Sequence, residues 1–462
     1  MKYFKIKSHI LLIGVLFMLP ACSVFETKKV VDPNLPSQES VLTNATAVQL
    51  NELGVGLQSV MRNGIQNYRL VTGSIGREMY NLSSVELTWT TELLGTTNGG
   101  FSLTTGFNAS YDDFSQTRRR AELFMRGANA STALNETQKN SIRGFCNTVE
   151  AYVMLKNLNM QYQNGIRISF TDLNTPGDLL KPGPFVSYDA ALTEIKRLLD
   201  LGNTQLASAG TAFAFPMTTG WAGFSTPTTF STFNRGLAAE VMMYQKDWNG
   251  MLTALGASFM NLSGPLTTGP VFTFSTTSGD IFNPLYQQKN TTSAPMVAQA
   301  LFISQAEAGD TRVPAKVALR TTPRVLNGLT GAYDVYMYPT NTSPISILRN
   351  EELILMYAEA QIQLNTPTSL IAGAAALDVI RVASGLPTLA IAKPTVLGNQ
   401  AALITEMLNQ RRYSLFFEGH RWFDMRRYNL LSTLPNDLPT AKVYTQLIRP
   451  FAEVQWDAKN PQ

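Results

Sequence analysis

A helical pattern of apolar residues recurs along most of this sequence and limits the possible folds more than any other feature. In 45–63, Leu50, Leu53, Leu57 and Val60 follow the spacing of one helix face. Comparable patterns occur in 112–127, 136–162, 187–208, 234–261, 348–364, 370–384 and 400–418, and a short helix is expected to begin near residue 421. The sequence therefore predicts a mostly α-helical protein.

Several of these helices place small residues beside a tyrosine, as in 149–152, 239–244 and 356–360. Antiparallel helix pairs of the tetratricopeptide type pack in this way, with small residues at the crossing and aromatic rings in the gaps. The helices do not repeat with the regular period of about 34 residues. We therefore predict an irregular, tetratricopeptide-like scaffold of helical pairs with long loops and a less regular, loop-rich C-terminal subdomain.

The N-terminus has the layout of a secretory signal. Three lysines lie within the first seven residues, and an apolar run over 10–19 follows, too short to span a membrane. The run ends in Leu-Pro-Ala-Cys22, which resembles a bacterial lipobox, where the cysteine thiol is lipidated. This resemblance implies a signal peptide over 1–21, lipidation of Cys22 and a flexible tether over 22–40. Ordinary secretion with a spare cysteine is the alternative.

The composition argues against several classes of function. The net charge of +4 falls to +1 without the three lysines of the signal segment, so no basic patch for nucleic acid is expected. With Cys22 lipidated, Cys146 has no partner for an intrachain disulfide. His420 is the only histidine after the signal segment. A zinc site with two histidines cannot be built, and we predict neither a metal nor a cofactor.

Two blocks of sequence stand out in the C-terminal third. The first, Ile-Leu-Arg-Asn-Glu-Glu-Leu-Ile-Leu-Met-Tyr-Ala-Glu-Ala, covers 347–360. The second covers 411–427 and contains Phe-Glu-Gly-His-Arg-Trp-Phe-Asp. Both blocks resemble motifs of the SusD/RagB family of outer-membrane nutrient-binding lipoproteins. Gln410 and Ser414 stand where the family usually has glutamate. We expect this departure to alter an internal ion-pair network rather than the fold.

The residues of these blocks indicate a structural role. Gly419 can supply the left-handed residue that ends a helix, and Trp422 is expected in the core. We interpret His420 as a structural histidine at a helix junction rather than a catalytic one. Glu352 and Glu359 lie two turns apart on one helix face, and we expect both to pair with Arg349 and other basic groups.

The resemblance implies a single SusD-like domain over 41–462, with an N-terminal part over 41–210 and a C-terminal part over 230–462. It also implies a lipid-anchored outer-membrane protein, facing the cell surface, that binds an oligo- or polysaccharide without cleaving it. The implied partner is a SusC-like TonB-dependent transporter, which receives the ligand. A peptide-binding member of the family and a surface-anchored glycoside hydrolase are the alternatives, and a hydrolase would need paired carboxylates in a cleft.

The loops are the expected binding surface, because sugars stack on flat aromatic rings that lie among amide and hydroxyl groups. Long polar loops occur at 95–111, 209–233, 262–292 and 321–343. An aromatic residue in such a loop either packs the loop onto the body or contacts the ligand. Our candidates for ligand contact are Trp89, Asn98, Phe101, Arg77, Trp221, Phe224 and Tyr286.

Overall fold

The computed structural model of the protein describes residues 38–96, 101–102, 106–169 and 182–460. The predicted signal peptide, Cys22, the tether up to residue 37 and the candidate Asn98 lie outside these ranges. In the described ranges, no helix combines the length and the apolar character that crossing a membrane requires.

Helices dominate the described chain, which confirms the predicted mostly α-helical class. In chain order they are α1 (Gln38–Asn44), α2 (Ala47–Val60), α3 (Ile65–Ile75), α4 (Thr88–Thr91), α5 (Ala109–Ala130), α6 (Glu136–Gln161), α7 (Tyr188–Ala207), α8 (Pro227–Gln245), α9 (Trp248–Gly256), α10 (Ala300–Ser304), α11 (Arg312–Lys316), α12 (Asn350–Leu364), α13 (Pro367–Ala383), α14 (Leu389–Ala392), α15 (Gln400–Ser414), α16 (Arg421–Arg427) and α17 (Phe451–Lys459).

The predicted helix over 234–261 is in fact two helices, α8 and α9. Lys246 has a left-handed backbone with φ of 59°, which ends α8. The carboxylate of Asp247 then accepts a hydrogen bond of 2.9 Å from the backbone of Gly250 and caps α9. The apolar pattern continues across this break, so helical periodicity alone did not reveal it.

Neighbouring helices pack as pairs, among them α5 with α6, α6 with α7, α7 with α8, and α12 with α13. Small residues lie where the helices cross. A Cβ atom on Gly144 of α6 would lie 2.6 Å from Leu206 Cγ and 2.9 Å from the carbonyl oxygen of Gly202, both on α7. Only glycine allows this approach. A close helix crossing with small residues is therefore present between α6 and α7, although Gly144 and Gly202 are not among the small residues beside tyrosine that the sequence analysis named.

A small antiparallel sheet connects distant parts of the chain. Its strands are β1 (Met79–Asn81), β5 (Met296–Ala298), β6 (Val317–Leu326) and β7 (Leu329–Val335), in the order β1-β5-β7-β6. Short two-stranded ladders join β2 (Ile166–Arg167) to β3 (Phe185–Val186), and β4 (Val271–Phe272) to β8 (Ile345–Ser346).

The hairpin of β6 and β7 occupies much of the segment 321–343, for which the sequence analysis expected a loop. Asn327 and Gly328 form its turn, and both have positive φ, of 50° and 83°. A two-residue Asn-Gly turn of this kind favours a hairpin with the normal strand twist. The polar residues of β6 hid the strand because this edge strand is largely exposed.

Candidate functional site

Four aromatic side chains form a continuous group at one surface, which we call the Trp89 cluster: Trp89, Phe101, Phe107 and Tyr444. The rings of Trp89 and Phe107 meet edge to face at 5.2 Å. Phe107 contacts Phe101 at 6.0 Å, and Phe101 packs on Tyr444 at 3.9 Å. Phe107 is buried, whereas the other three rings are only half-buried. The cluster therefore presents flat apolar surface to solvent on a buried base.

The backbone around Trp89 is held by the C-terminal segment. The amide of Lys442 donates a hydrogen bond of 2.8 Å to the carbonyl of Leu94, and the Tyr444 hydroxyl donates one of 3.1 Å to the carbonyl of Glu92. At Gly95, φ is 72° and an added Cβ would lie 2.8 Å from Lys442 Cβ. The close approach of these two segments fixes the short helix α4, which carries Trp89.

Polar groups lie beside the cluster. Asn327, at the tip of the hairpin, donates a hydrogen bond of 2.8 Å to the hydroxyl of Thr90. The Glu92 carboxylate accepts one of 3.0 Å from the backbone of Ser102. Amide, hydroxyl and carboxylate groups beside flat rings are the combination that sugar sites use.

Arg77 belongs to the support of this surface rather than to its exposed face. Its side chain is buried and its backbone has a φ of 54°. The guanidinium donates hydrogen bonds of 2.9 Å to the carbonyl of Ser74 and 2.8 Å to that of Lys442. Burial lowers the pKa of Arg77. The guanidinium N–H groups, which we predicted as hydrogen-bond donors to a ligand, donate to backbone carbonyls in this structure.

Trp221 and Phe224 lie in the interior, with 3% and 5% of their surface exposed. The Trp221 ring packs against Phe230 at 5.2 Å and Phe233 at 5.3 Å. Phe224 meets Phe259 edge to face at 4.9 Å. Both rings therefore pack the segment 209–233 onto the body, which is the structural alternative that the sequence analysis kept open.

Tyr286 is half-buried on a segment that runs between α3 and the region before Trp89. The side chain of Gln66, on α3, donates a hydrogen bond of 2.8 Å to the carbonyl of Pro284. Nine residues later, the carbonyl of Ser293 accepts one of 3.1 Å from the backbone of Ser84. Tyr286 therefore lies on a fixed segment, although it is not part of the Trp89 cluster.

A second feature, which the sequence analysis did not predict, is a recess of about 220 Å³ at the end of α2. We call it the Arg62 recess. Its lining residues are Val55, Gln58, Ser59, Arg62, Thr218, Trp221, Val271, Phe272, Thr273 and Asp280. An ion pair between Arg62 and Asp280, 218 positions apart, joins its two sides.

The family motifs build buried ion pairs, although not all of the expected ones. Arg349 pairs with Glu351 at 2.8 Å and with Glu418, so the part of the expectation that named Arg349 was wrong, whereas the pairing of Glu359 with another basic group is confirmed. Glu359 pairs instead with Arg427. These charges satisfy one another inside the protein, where Arg349 and Glu418 line a small cavity of about 10 Å³.

Glu352 lies in a buried group with Glu240, His420 and Lys156. One Glu352 oxygen is 3.5 Å from His420 Nε2, and Lys156 Nζ is 3.7 Å from a Glu240 oxygen. Burial raises the pKa of Glu352 to about 8 and lowers that of His420 well below its usual value. The two carboxylates and the imidazole are close enough to share an ion, but the Lys156 ammonium already supplies the positive charge. The group fits a structural network better than a metal centre.

The two departures from the family pattern, Gln410 and Ser414, both lie in buried networks. Arg312 donates a hydrogen bond of 3.0 Å to the Ser414 hydroxyl and pairs with Asp310 at 2.7 Å. Gln410 donates one of 2.7 Å to Glu406. The Ser414 hydroxyl and the Gln410 amide thus take part in these networks, although the buried Oε1 of Gln410 has no hydrogen-bond partner among the described residues.

Comparison with known proteins agrees with this architecture. Residues 319–462 match the sequence model of the SusD family. Three solved structures with 13–15% sequence identity share the fold of the chain. A SusD superfamily protein from Bacteroides vulgatus has a TM-score of 0.62, and the alignment covers 85% of this chain and 91% of that protein.

For a laminarin-binding SusD-like protein, the TM-score is 0.59, and the alignment covers 89% of this chain and 98% of that protein. For surface glycan-binding protein A from Bacteroides uniformis, the TM-score is 0.61, and the alignment covers 84% of this chain and 90% of that protein. No curated protein matches the sequence. The fold is thus that of a SusD-like helical protein with an aromatic surface. The predicted resemblance to the SusD/RagB family is confirmed: it rests on sequence in the C-terminal third, residues 319–462, and on the fold over most of the chain.

Proposed function

We propose that this protein binds an oligo- or polysaccharide at the cell surface and delivers it to a SusC-like TonB-dependent transporter. The Trp89 cluster is the main binding surface in this proposal. The names of two structural neighbours, one laminarin-binding and one glycan-binding, support a carbohydrate ligand. Anchoring in the outer membrane through lipidated Cys22, facing outward, is part of the same proposal.

The observation that carries the proposal is the half-buried indole of Trp89, held on a buried aromatic base. A ring on a fixed frame loses little conformational freedom when it stacks on a sugar, so more of the contact energy appears as affinity. The Trp89 ring packs against Phe107. The polar residues Thr90 and Glu92 follow Trp89 closely along the chain. A mobile loop aromatic would lack this advantage.

Binding without cleavage is the favoured activity because the motif carboxylates are engaged elsewhere. Glu359 pairs with Arg427, and Glu352 lies in the buried group with His420. A glycoside hydrolase needs two carboxyl groups on either side of the scissile bond. Measuring new reducing ends in every binding assay separates this alternative from the proposal.

The test is affinity electrophoresis of the full chain in gels that contain one polysaccharide each, with a peptide array run in parallel. We expect retardation by at least one polysaccharide and no new reducing ends. Trp89→Ala should weaken this binding by about 2 kcal/mol or more, as loss of a central aromatic contact does. Its melting temperature should change little, because the indole is not part of the deep core.

Trp248→Ala is the matched control. Trp248 is also half-buried, but it begins α9, which packs on α8 and α12. The control should bind the polysaccharide as the wild type does. If Trp89→Ala lowers stability and loses affinity only as far as unfolding explains, the indole is a packing residue. If the peptide array alone gives binding, the ligand is a peptide.

A further inference from the structure

The Arg62 recess has the composition of a built site and lies apart from the residues of the Trp89 cluster. Its volume of about 220 Å³ far exceeds the 10–15 Å³ or so that a single water requires. The indole of Trp221 and the ring of Phe272, both buried, supply apolar lining. Ser59 and Asp280 lie at its exposed side.

Arg62 and Gln58 hold the walls together. Arg62 donates a hydrogen bond of 2.5 Å to the carbonyl of Thr273, in addition to its ion pair with Asp280. The side chain of Gln58 donates to the carbonyl of Pro216 at 2.9 Å and accepts from the backbone of Thr218 at 2.8 Å. The recess is therefore fixed by contacts between α2 and two distant segments before any ligand arrives.

Several polar groups of the lining remain available. Within the described residues, the second carboxylate oxygen of Asp280 makes no hydrogen bond, and neither do the hydroxyls of Ser59, Thr218 and Thr273. The buried Nε of Arg62 also has no partner among them. A buried donor without a partner is uncommon in folded proteins and calls for a ligand or a water.

These groups define the ligand class. Hydroxyls and a carboxylate beside buried rings suit a ring that carries several hydroxyls, and a carboxylate can accept from two neighbouring hydroxyls. The Arg62 hydrogen bond lowers the pKa of Asp280 below its usual value, so Asp280 is ionised and its second oxygen can only accept hydrogen bonds. A sugar carboxylate placed against this oxygen would be repelled by it. Phe282, two positions after Asp280 and 54% exposed, offers a further apolar surface near the rim.

We propose that the Arg62 recess is a second carbohydrate subsite, which binds one uncharged pyranose ring through Asp280, the lining hydroxyls and Trp221. The proposal rests on the proposed function, since it assigns a further contact to the same class of ligand. It assigns Asp280 as the acceptor for ligand hydroxyls and Arg62 as the residue that positions it.

The experiment uses the full chain labelled with 5-fluorotryptophan, in which five tryptophans give fluorine resonances. Trp221→Phe and Trp89→Phe identify the two resonances of interest. The probes are D-glucose, D-galactose and D-mannose, with D-glucuronate and D-galacturonate as charged counterparts. We expect at least one neutral hexose to shift the Trp221 resonance saturably, and its uronate to bind about tenfold more weakly or not at all.

Three variants test the assignment. Asp280→Asn should weaken hexose binding about tenfold, which is the usual effect of losing one charge-assisted hydrogen bond, and should reduce discrimination against the uronate. Ser59→Phe should fill the recess and abolish the shift. Glu52→Phe is its control, two turns earlier on the same exposed face of α2 and outside the lining, and it should bind like the wild type.

A Trp221 resonance that no hexose moves, or that responds equally in Ser59→Phe, would overturn the subsite. A uronate that binds as tightly as its neutral hexose would also contradict it. The Trp89 resonance reports separately on the proposed function when oligosaccharides from the retarding polysaccharide are added. A response at Trp89 without one at Trp221 would therefore reject the recess and leave the proposed function standing.

Discussion

Replacing Trp422 with alanine should destabilise the protein strongly, because this indole is fully buried at the end of the second family motif. Trp422 has 0% exposed surface and packs against Phe423 with ring centroids 5.1 Å apart. Its Nε1 donates a hydrogen bond of 2.7 Å to the carbonyl of Tyr444. The substitution therefore empties a large site and leaves a carbonyl without its donor.

The magnitude follows from these two losses. Emptying a buried large aromatic site costs about 3–5 kcal/mol, and losing the hydrogen bond adds about 1 kcal/mol. A domain of about 420 residues has an unfolding entropy of about 0.9 kcal/mol per degree, from about 2.1 cal/mol/K per residue. The expected fall in melting temperature is therefore about 5 °C, measured by calorimetry on the full chain.

Two variants make the measurement interpretable. Trp422→Phe keeps a ring but loses the indole N–H, so we expect it to lower the free energy of unfolding by about 1–2 kcal/mol. Trp456→Ala removes a half-buried indole from α17 and should cost much less. If the melting temperature falls no further in Trp422→Ala than in Trp456→Ala, the assignment of Trp422 to the core is refuted. Normal melting with lost ligand binding would show that a site residue had been interpreted as a core residue.

Two further perturbations test the anchor and the buried charges. Cys22→Ala should leave the body folded but abolish membrane retention. The reason is that no stretch of the sequence after the signal segment is apolar enough to anchor the chain in a membrane. A variant that stays in the detergent phase on partitioning would contradict this. Burial raises the pKa of the Glu78 carboxyl to about 8. The unfolded chain therefore loses the carboxyl proton near pH 4–5, whereas the folded chain keeps it until about pH 8. The free energy of unfolding consequently falls as the pH rises from about 5 towards 8. Glu78→Gln should therefore raise the melting temperature at pH 8, by the equivalent of about 4 kcal/mol, and change it little at pH 5.

The helices were the most predictable part of the structure. The segments 136–162 and 187–208 were predicted within a residue or so of α6 and α7, because one face of each helix is continuously apolar. The hairpin of β6 and β7 was missed because its exposed edge strand carries mostly polar residues. Strand pairing there depends on a neighbour, β5, that helical periodicity cannot reveal.

The candidate site was predicted only in part, because its residues meet across long stretches of chain. Trp89 and Phe101 could be proposed from their loop, but Tyr444, which packs on Phe101, lies more than 340 residues away. The pair of Arg62 and Asp280 is separated by 218 positions. A sequence alone gives no distance between such residues. Trp221 lies in the interior rather than on an open loop surface, and sequence alone could not show this because an aromatic in a polar segment can face either way.

The way in which the Trp89 cluster is supported explains why family motifs predict the fold but not the ligand. Its frame is held mainly by backbone atoms: Lys442 donates through its amide to Leu94, and Trp422 donates to the carbonyl of Tyr444. Arg77 likewise donates to the carbonyl of Lys442. Backbone groups are the same whatever the side chain, so the side chains at 94 and 442 can change while these hydrogen bonds persist. The motif residue Trp422 thus helps to fix the position of the Trp89 cluster. In the proposed function, the side chains around Trp89 would then determine which sugar is accepted.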